Sequence, residues 1–426
     1  MNHSFPQSPF KTTYLSADIP GTGGSIKQRH EDFLVEEQPL YQPTGEGEHL
    51  YLFIEKRGMT TLDVSRRIAR AFHIKKSDVG YAGLKDKHAI TRQHFSVYLP
   101  KRDFEEEGLK NLELHDNMTL LWHDRHANKL RRGHHGGNRF VIRIRDIQVH
   151  DVLRAKRVLD LLETKGVPNR IGDQRFGYRM NSHIMGYHLL KKNHQDLLDE
   201  MLGHTYPQDA PLLQEGREHY RKGDYQQALE IWPRALRYDR QALDELRQGK
   251  TAEQAVSRID VAQRRLMISS TQSAAFNEVL TQRIKDNTFS TLLPGDLAII
   301  HHNRAVFAVD DQTAEIENAP TGRIPSFEIS PSGPMWGRDM PRTSGKIDQL
   351  EQQALANLDL SIHELESDRH DYAEGARRPL RIKMDNPDIE GGEDEHGPYI
   401  RLAFDLPRGA YATNILDEIM KPDQSS

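Results

Sequence analysis

The chain has 426 residues, 28% of them charged and 36% hydrophobic, with a net charge of −5. That length supports two or three domains, each with its own core, in a protein of ordinary soluble composition. It has no cysteine, which excludes disulfides, thiolate zinc sites, iron–sulfur clusters and any thiol nucleophile. No run of eighteen apolar residues predicts a membrane-spanning helix. The first thirty residues are polar and carry Pro6, Pro9 and Pro20, without the apolar centre of a signal peptide. The expected location is the cytoplasm.

In chain order, residues 1–20 read as an irregular lead-in, and short alternating apolar runs at 26–37 and 49–55 predict strands. Thr60-Thr61-Leu62-Asp63 resembles a capping box that opens a helix through Phe72, with Val64, Ile68 and Phe72 on one face. Arg66, Arg67 and Arg70 fall largely off that face. Residues 80–89 read as a glycine-punctuated loop and 95–99 as a strand. The alternation at 139–147 predicts a half-buried strand, and Asp151 caps a helix that ends at Gly166.

The pattern then turns helical over 187–285, with segments such as 225–236 and 252–280. Pro294-Gly295-Asp296 leads into a hairpin-like pair at 297–301 and 305–309, followed by a proline- and glycine-rich crossing at 325–337. A helical stretch near 348–358 precedes strands at 379–384 and 399–406, and 414–420 is a short amphipathic helix. An α/β body, a helical middle and a return to α/β imply one domain inserted into another.

Charge is unevenly spread. Residues 51–150 hold 20 Lys and Arg against 12 Asp and Glu, a balance of +8 that leaves −13 for the rest, and nine of the histidines. Such a sector fits a phosphate-binding face, or simply a solvated helix face. Residues 385–396 are strongly acidic and would face away from a nucleic acid.

Within the basic sector, Asp86 sits between Lys85 and Lys87 in a loop flexed by Gly80 and Gly83. Flanking lysines would stabilise its charge, and the glycines would let a ligand approach closely. By local sequence alone it is equally an exposed aspartate in a turn. The histidine pairs His123 and His126, His134 and His135, and His301 and His302 suggest metal, but none lies in a His-Glu-x-x-His frame. Residues 131–137 read instead as a flexible basic loop. The Gly21-Thr22-Gly23-Gly24 run lacks the lysine and hydroxyl residue of a phosphate loop.

The segment Gly83-Leu84-Lys85-Asp86, followed by Ala89-Ile90-Thr91-Arg92-Gln93, resembles the signature of the TruD family of tRNA pseudouridine synthases. Four further segments are similar to that family's motifs, in its order. They are Lys27 to Glu37, Asn138-Arg139-Phe140, Gly166-Val167-Pro168-Asn169 with Gln174-Arg175-Phe176-Gly177, and Phe404 to Thr413. Segment 340–377 matches none of them.

The resemblance implies a catalytic domain of mixed, largely antiparallel sheet with flanking helices, interrupted by an inserted helix-rich α/β domain. The implied division is 1–166 and 331–426 for the catalytic domain and 167–330 for the insert. It implies isomerisation of uridine to pseudouridine in transfer RNA, at position 13, without cofactor or metal; the sequence itself shows no membrane segment and nothing that demands more than a monomer. By the same resemblance Asp86 is the catalytic carboxylate and Lys27 its cationic partner. Phe33, Lys85, Asn138 and Phe140 bind substrate, Phe140 by stacking on the extruded base. On their own pattern, Phe33 and Phe140 are equally inward residues of strands, and Lys27 an exposed lysine before a strand. Two rivals are a non-catalytic RNA-binding module and a metal-dependent nuclease that chelation would inactivate.

Overall fold

The alternation at the start of the basic sector is realised directly. Leu50, Leu52 and Ile54 are fully buried along one side of a strand, as a period of two requires. The computed structural model describes residues 13–101, 104–112, 115–207, 209–365 and 374–422. The first twelve residues of the lead-in, and 366–373 of the unmatched segment, lie outside them.

Contacts divide the described chain into two compact units, Tyr14–Val167 with the described residues from Ile382 onward, and Pro168–Arg381. The strands of the first unit are β1 (Phe33–Pro39), β2 (His49–Arg57), β3 (Val79–Tyr81), β4 (Ile90–Tyr98), β5 (Met118–His126), β6 (His135–Arg145), β7 (Asp385–Asp394) and β8 (Gly397–Pro407). Its helices are α1 (Thr61–Ala71), α2 (Glu105–Leu112), α3 (Val152–Lys165) and α4 (Thr413–Met420). They form an eight-stranded sheet in the order β7-β8-β6-β1-β4-β2-β5, with β3 also paired to β4. Only β1 and β4 run parallel among the sheet's pairs.

Residues opposite one another across a sheet share a face. Phe404 stands opposite Phe140, Phe140 opposite Val35, Val35 opposite Thr91, and Thr91 opposite Lys56. One face therefore carries both hydrophobic clusters. The first joins Leu50, Leu52, Ile54 and Phe95 to Val64 and Ile68 of α1. The second joins Phe33, Val35, Phe140 and Phe404 to Leu159 of α3 and Ile415 of α4. Between them the inward positions are polar: Glu37, Lys56, Thr91 and Gln93 are all buried. This break in the core is where the candidate site forms.

One edge of β4 is divided between two partners. β1 pairs with Ile90, Thr91 and Arg92, and β3 with Phe95, Ser96 and Val97. Gln93 and His94 fall in the gap, and the loop joining β3 to β4 leaves the sheet there.

Several elements depart from the sequence expectation. The acidic residues 385–396 contribute strand β7, held by Arg401 to Asp388 at 2.7 Å and to Glu390 at 2.8 Å. Cross-strand ion pairs replace the apolar alternation that would have announced it. β4 begins at Ile90 rather than near 95, and β6 at His135 rather than 139.

In the second unit the helical middle is Ser182–Leu190, Pro211–Arg221, Tyr225–Ile231, Arg237–Arg247, Ala252–Arg258 and Val261–Lys285, with two short helical turns between the first pair. The expected helix at 225–236 stops before Trp232-Pro233, since proline cannot continue it. The expected helix at 252–280 is two, because Asp260 caps the second by accepting from Ala262 N–H at 2.8 Å. The crossing at 325–337 contains a strand, Ile329–Met335, despite Pro331 and Pro334. Pro331 takes part as an acceptor, receiving Leu380 N–H at 2.9 Å. This unit runs to Arg381 instead of ending near 330. Ile329–Met335 pairs with Leu297–Ile300 and with Ala376–Pro379, and Trp336, Met340, Leu355 and Leu360 pack with Phe176 and Ile268.

Candidate active site

The loop between β3 and β4 is irregular but held at several points. Gln93 Nε2 donates to the carbonyl of Gly83 at 2.5 Å, and Thr61 Oγ1 donates to Gln93 Oε1 at 3.0 Å while accepting Lys85 N–H at 2.9 Å. Thr61 is the first residue of α1, whose start is set by a capping box between Thr60 and Asp63. Lys56 Nζ donates to the carbonyl of Asp86 at 3.0 Å, and Gly133 N–H to that of Ala82 at 2.7 Å. The Asp86 main chain is therefore fixed although its side chain is 47% exposed.

Asp86 Oδ2 lies 2.8 Å from Lys27 Nζ. Lys27 adopts φ +58°, in the left-handed region, which costs a non-glycine residue about 1–2 kcal/mol. Its ammonium also stands 4.3 Å from the centroid of the Phe33 ring, within cation–π range. Phe33 meets Phe140 edge-on at 6.5 Å, and Phe140 packs on Phe404 at 5.7 Å. Phe33 is 4% exposed and Phe140 8%.

Lys85 turns away from Asp86 into the sheet, with 7% of its side chain exposed. Its ammonium donates to Asn138 Oδ1 and lies 3.4 Å from Glu37 Oε2. Glu37 in turn accepts from the main chain of His94 at 3.2 Å. Burial pushes the Glu37 carboxyl up, and the hydrogen bonds and charge of His94 with the charge of Lys85 more than reverse it, holding the group below the ordinary range. A lysine so engaged is an internal partner of the loop.

The six residues anticipated from sequence thus fall in two groups of contacts beside the break in the core, Lys27, Asp86, Phe33 and Phe140 in one and Lys85 with Asn138 in the other. Lys56, Glu37, Thr61 and Gln93 also belong to this arrangement, although the sequence pattern marks none of them for a role at the site. The series Leu50, Leu52, Ile54, Lys56 carried the signal for the first, since a period of two puts that lysine inside. The histidines part company: His126 stacks on Tyr41 at 4.9 Å, and His301 Nε2 meets Ser330 Oγ at 2.7 Å. Among the described residues no group of three or more His, Asp or Glu is arranged to hold a metal ion.

A family model described as tRNA pseudouridine synthase D (TruD) matches residues 10–419. The chain belongs to the TruD family. A TruD relative, tRNA pseudouridine synthase D of Geobacter sp. strain M21, is 40% identical over 411 residues, covering 96% of this chain and 99% of its own. A Thermus thermophilus protein of the same name is 34% identical over 413 residues, covering 97% and 93%. A crystal structure of a TruD-type protein from Methanosarcina mazei superposes with a TM-score of 0.85 at 24% identity, covering 97% of each chain, and shows the shared fold. As a TruD protein the chain is a tRNA pseudouridine synthase, an isomerase acting on uridine in tRNA. No helix among the described residues is long and apolar enough to cross a membrane.

Proposed function

We propose that Asp86 is the reacting carboxylate and that the target is uridine at position 13 of transfer RNA. The observation that carries the first part is the 2.8 Å pair of Lys27 and Asp86 on a loop whose main chain is fixed while its carboxylate stays accessible. The position is carried by the family resemblance.

In the reaction the N1–C1′ bond of uridine breaks, the base turns, and C5 bonds to C1′. The proton from C5 is lost and N1 gains one, so no atom is added or removed. An ionised carboxylate serves either course, by adding to C1′ or by taking a proton from the sugar to give a glycal. Lys27 pairs with the Asp86 carboxylate and orients it. Phe33 and Phe140 form the apolar wall against which the extruded uracil rests, and Asn138, held by Lys85, orients its edge. Extrusion costs a few kcal/mol for a stacked base, offset by that contact. The enzyme works in the cytoplasm as a monomer.

Mapping pseudouridine in cellular tRNA with and without this protein tests the target. Position 13 is expected to lose its modification when the protein is removed. Its persistence would contradict the assignment.

A further inference from the structure

Lys56 stands at a position where its strand is otherwise apolar. It continues the inward series Leu50, Leu52, Ile54 of β2 with 1% of its surface exposed. Its ammonium donates to two neutral acceptors, the carbonyl of Met59 at 2.7 Å and that of Asp86 at 3.0 Å. A buried ammonium is costly unless well partnered, and these partners join the turn after β2 to the loop that bears the carboxylate. The charged groups around it are Asp86 and Lys85 on that loop and Asp63 on α1.

We propose that Lys56 is a positioning residue for the isomerisation: its ammonium fixes the main chain of Asp86 and so sets where the carboxylate stands. The proposal rests on the reading of Asp86 as the reacting group. Two lysines then divide the task, Lys27 holding the side chain of Asp86 and Lys56 its backbone.

Burial lowers the Lys56 pKa to about 8, with Lys85 adding to the shift and Asp86 and Asp63 opposing it. The ordinary lysine value is higher, so the folded protein loses this proton first. The charged tether is present below about pH 8 and weakens above it.

The test is single-turnover isomerisation of tRNA against pH by wild type, Lys56→Met and Asp86→Asn, each shown to be folded by its melting curve. Lys56→Met is expected to react about 10²-fold more slowly, the loss typical of a reacting group displaced by about 1 Å. Its KM for tRNA is expected to stay near wild type, and the alkaline fall of the wild-type profile to be absent. Should Lys56→Met not fold, Lys56→Ala with added ethylammonium is expected to regain rate in proportion to the protonated amine. Wild-type rate and an unchanged alkaline fall in Lys56→Met, or no response of Lys56→Ala to the amine, would overturn the proposal. Activity of Asp86→Asn would instead overturn the reading of Asp86 on which it rests.

Discussion

Lys27 combines a left-handed backbone, an ion pair to Asp86 and a place over the Phe33 ring. Strain of this kind persists where surrounding contacts over-determine a side chain's direction. Lys27→Met keeps an unbranched side chain of similar length and removes the charge. Its single-turnover rate is expected to fall about 10²-fold, as when one preorganised donor is deleted from a reacting site, with tRNA binding measured by filter retention close to wild type. Undiminished turnover would remove Lys27 from the site. Which neighbour of Asp86 pairs with it could not be read from adjacency. Lys85 is next in sequence, yet its side chain enters the sheet toward Glu37 and Asn138, because successive residues of an extended loop point apart. The pairing of Lys27 with Asp86 joins positions 59 residues apart, and only motif resemblance suggested it.

At the scale of elements, local chemistry was readable where it closes on itself. The Thr60–Asp63 capping box, the α1 helix and the Gly166 terminus of α3, at φ 92°, all stand as the sequence predicts. What needed the fold were elements made by their neighbours. β7 depends on Arg401, and Ile329–Met335 is a strand because strands flank it on both sides. The α1 cap also reaches the site, since the next residue, Thr61, receives Lys85 N–H. Thr60→Ala is expected to cost about 1 kcal/mol by denaturant unfolding, the usual worth of an N-cap. It should also lower turnover modestly as the first turn loosens. Unchanged stability and unchanged turnover would show that the cap does not hold the loop.

For the whole molecule, sequence pattern foretold an interrupted α/β body but not where the interruption ends. The second unit continues to Arg381 because its core recruits Trp336, Met340 and Leu355, contacts that no local periodicity displays. Charge is likewise a property of the whole. Residues 51–150 carry +8 in a chain of net −5, and we expect this sector to supply the non-specific part of RNA affinity through released counterions. On that expectation affinity is spread over many side chains, while the proposed reaction rests on one carboxylate, so removing Asp86 should separate the two. The direct measurement is pseudouridine formation in unmodified tRNA by Asp86→Ala, read by tritium release from C5 alongside the dissociation constant at the same salt. The expected result is no product above the enzyme-free control, with tRNA binding near that of the wild type. Product at a rate near wild type would contradict the assignment of Asp86.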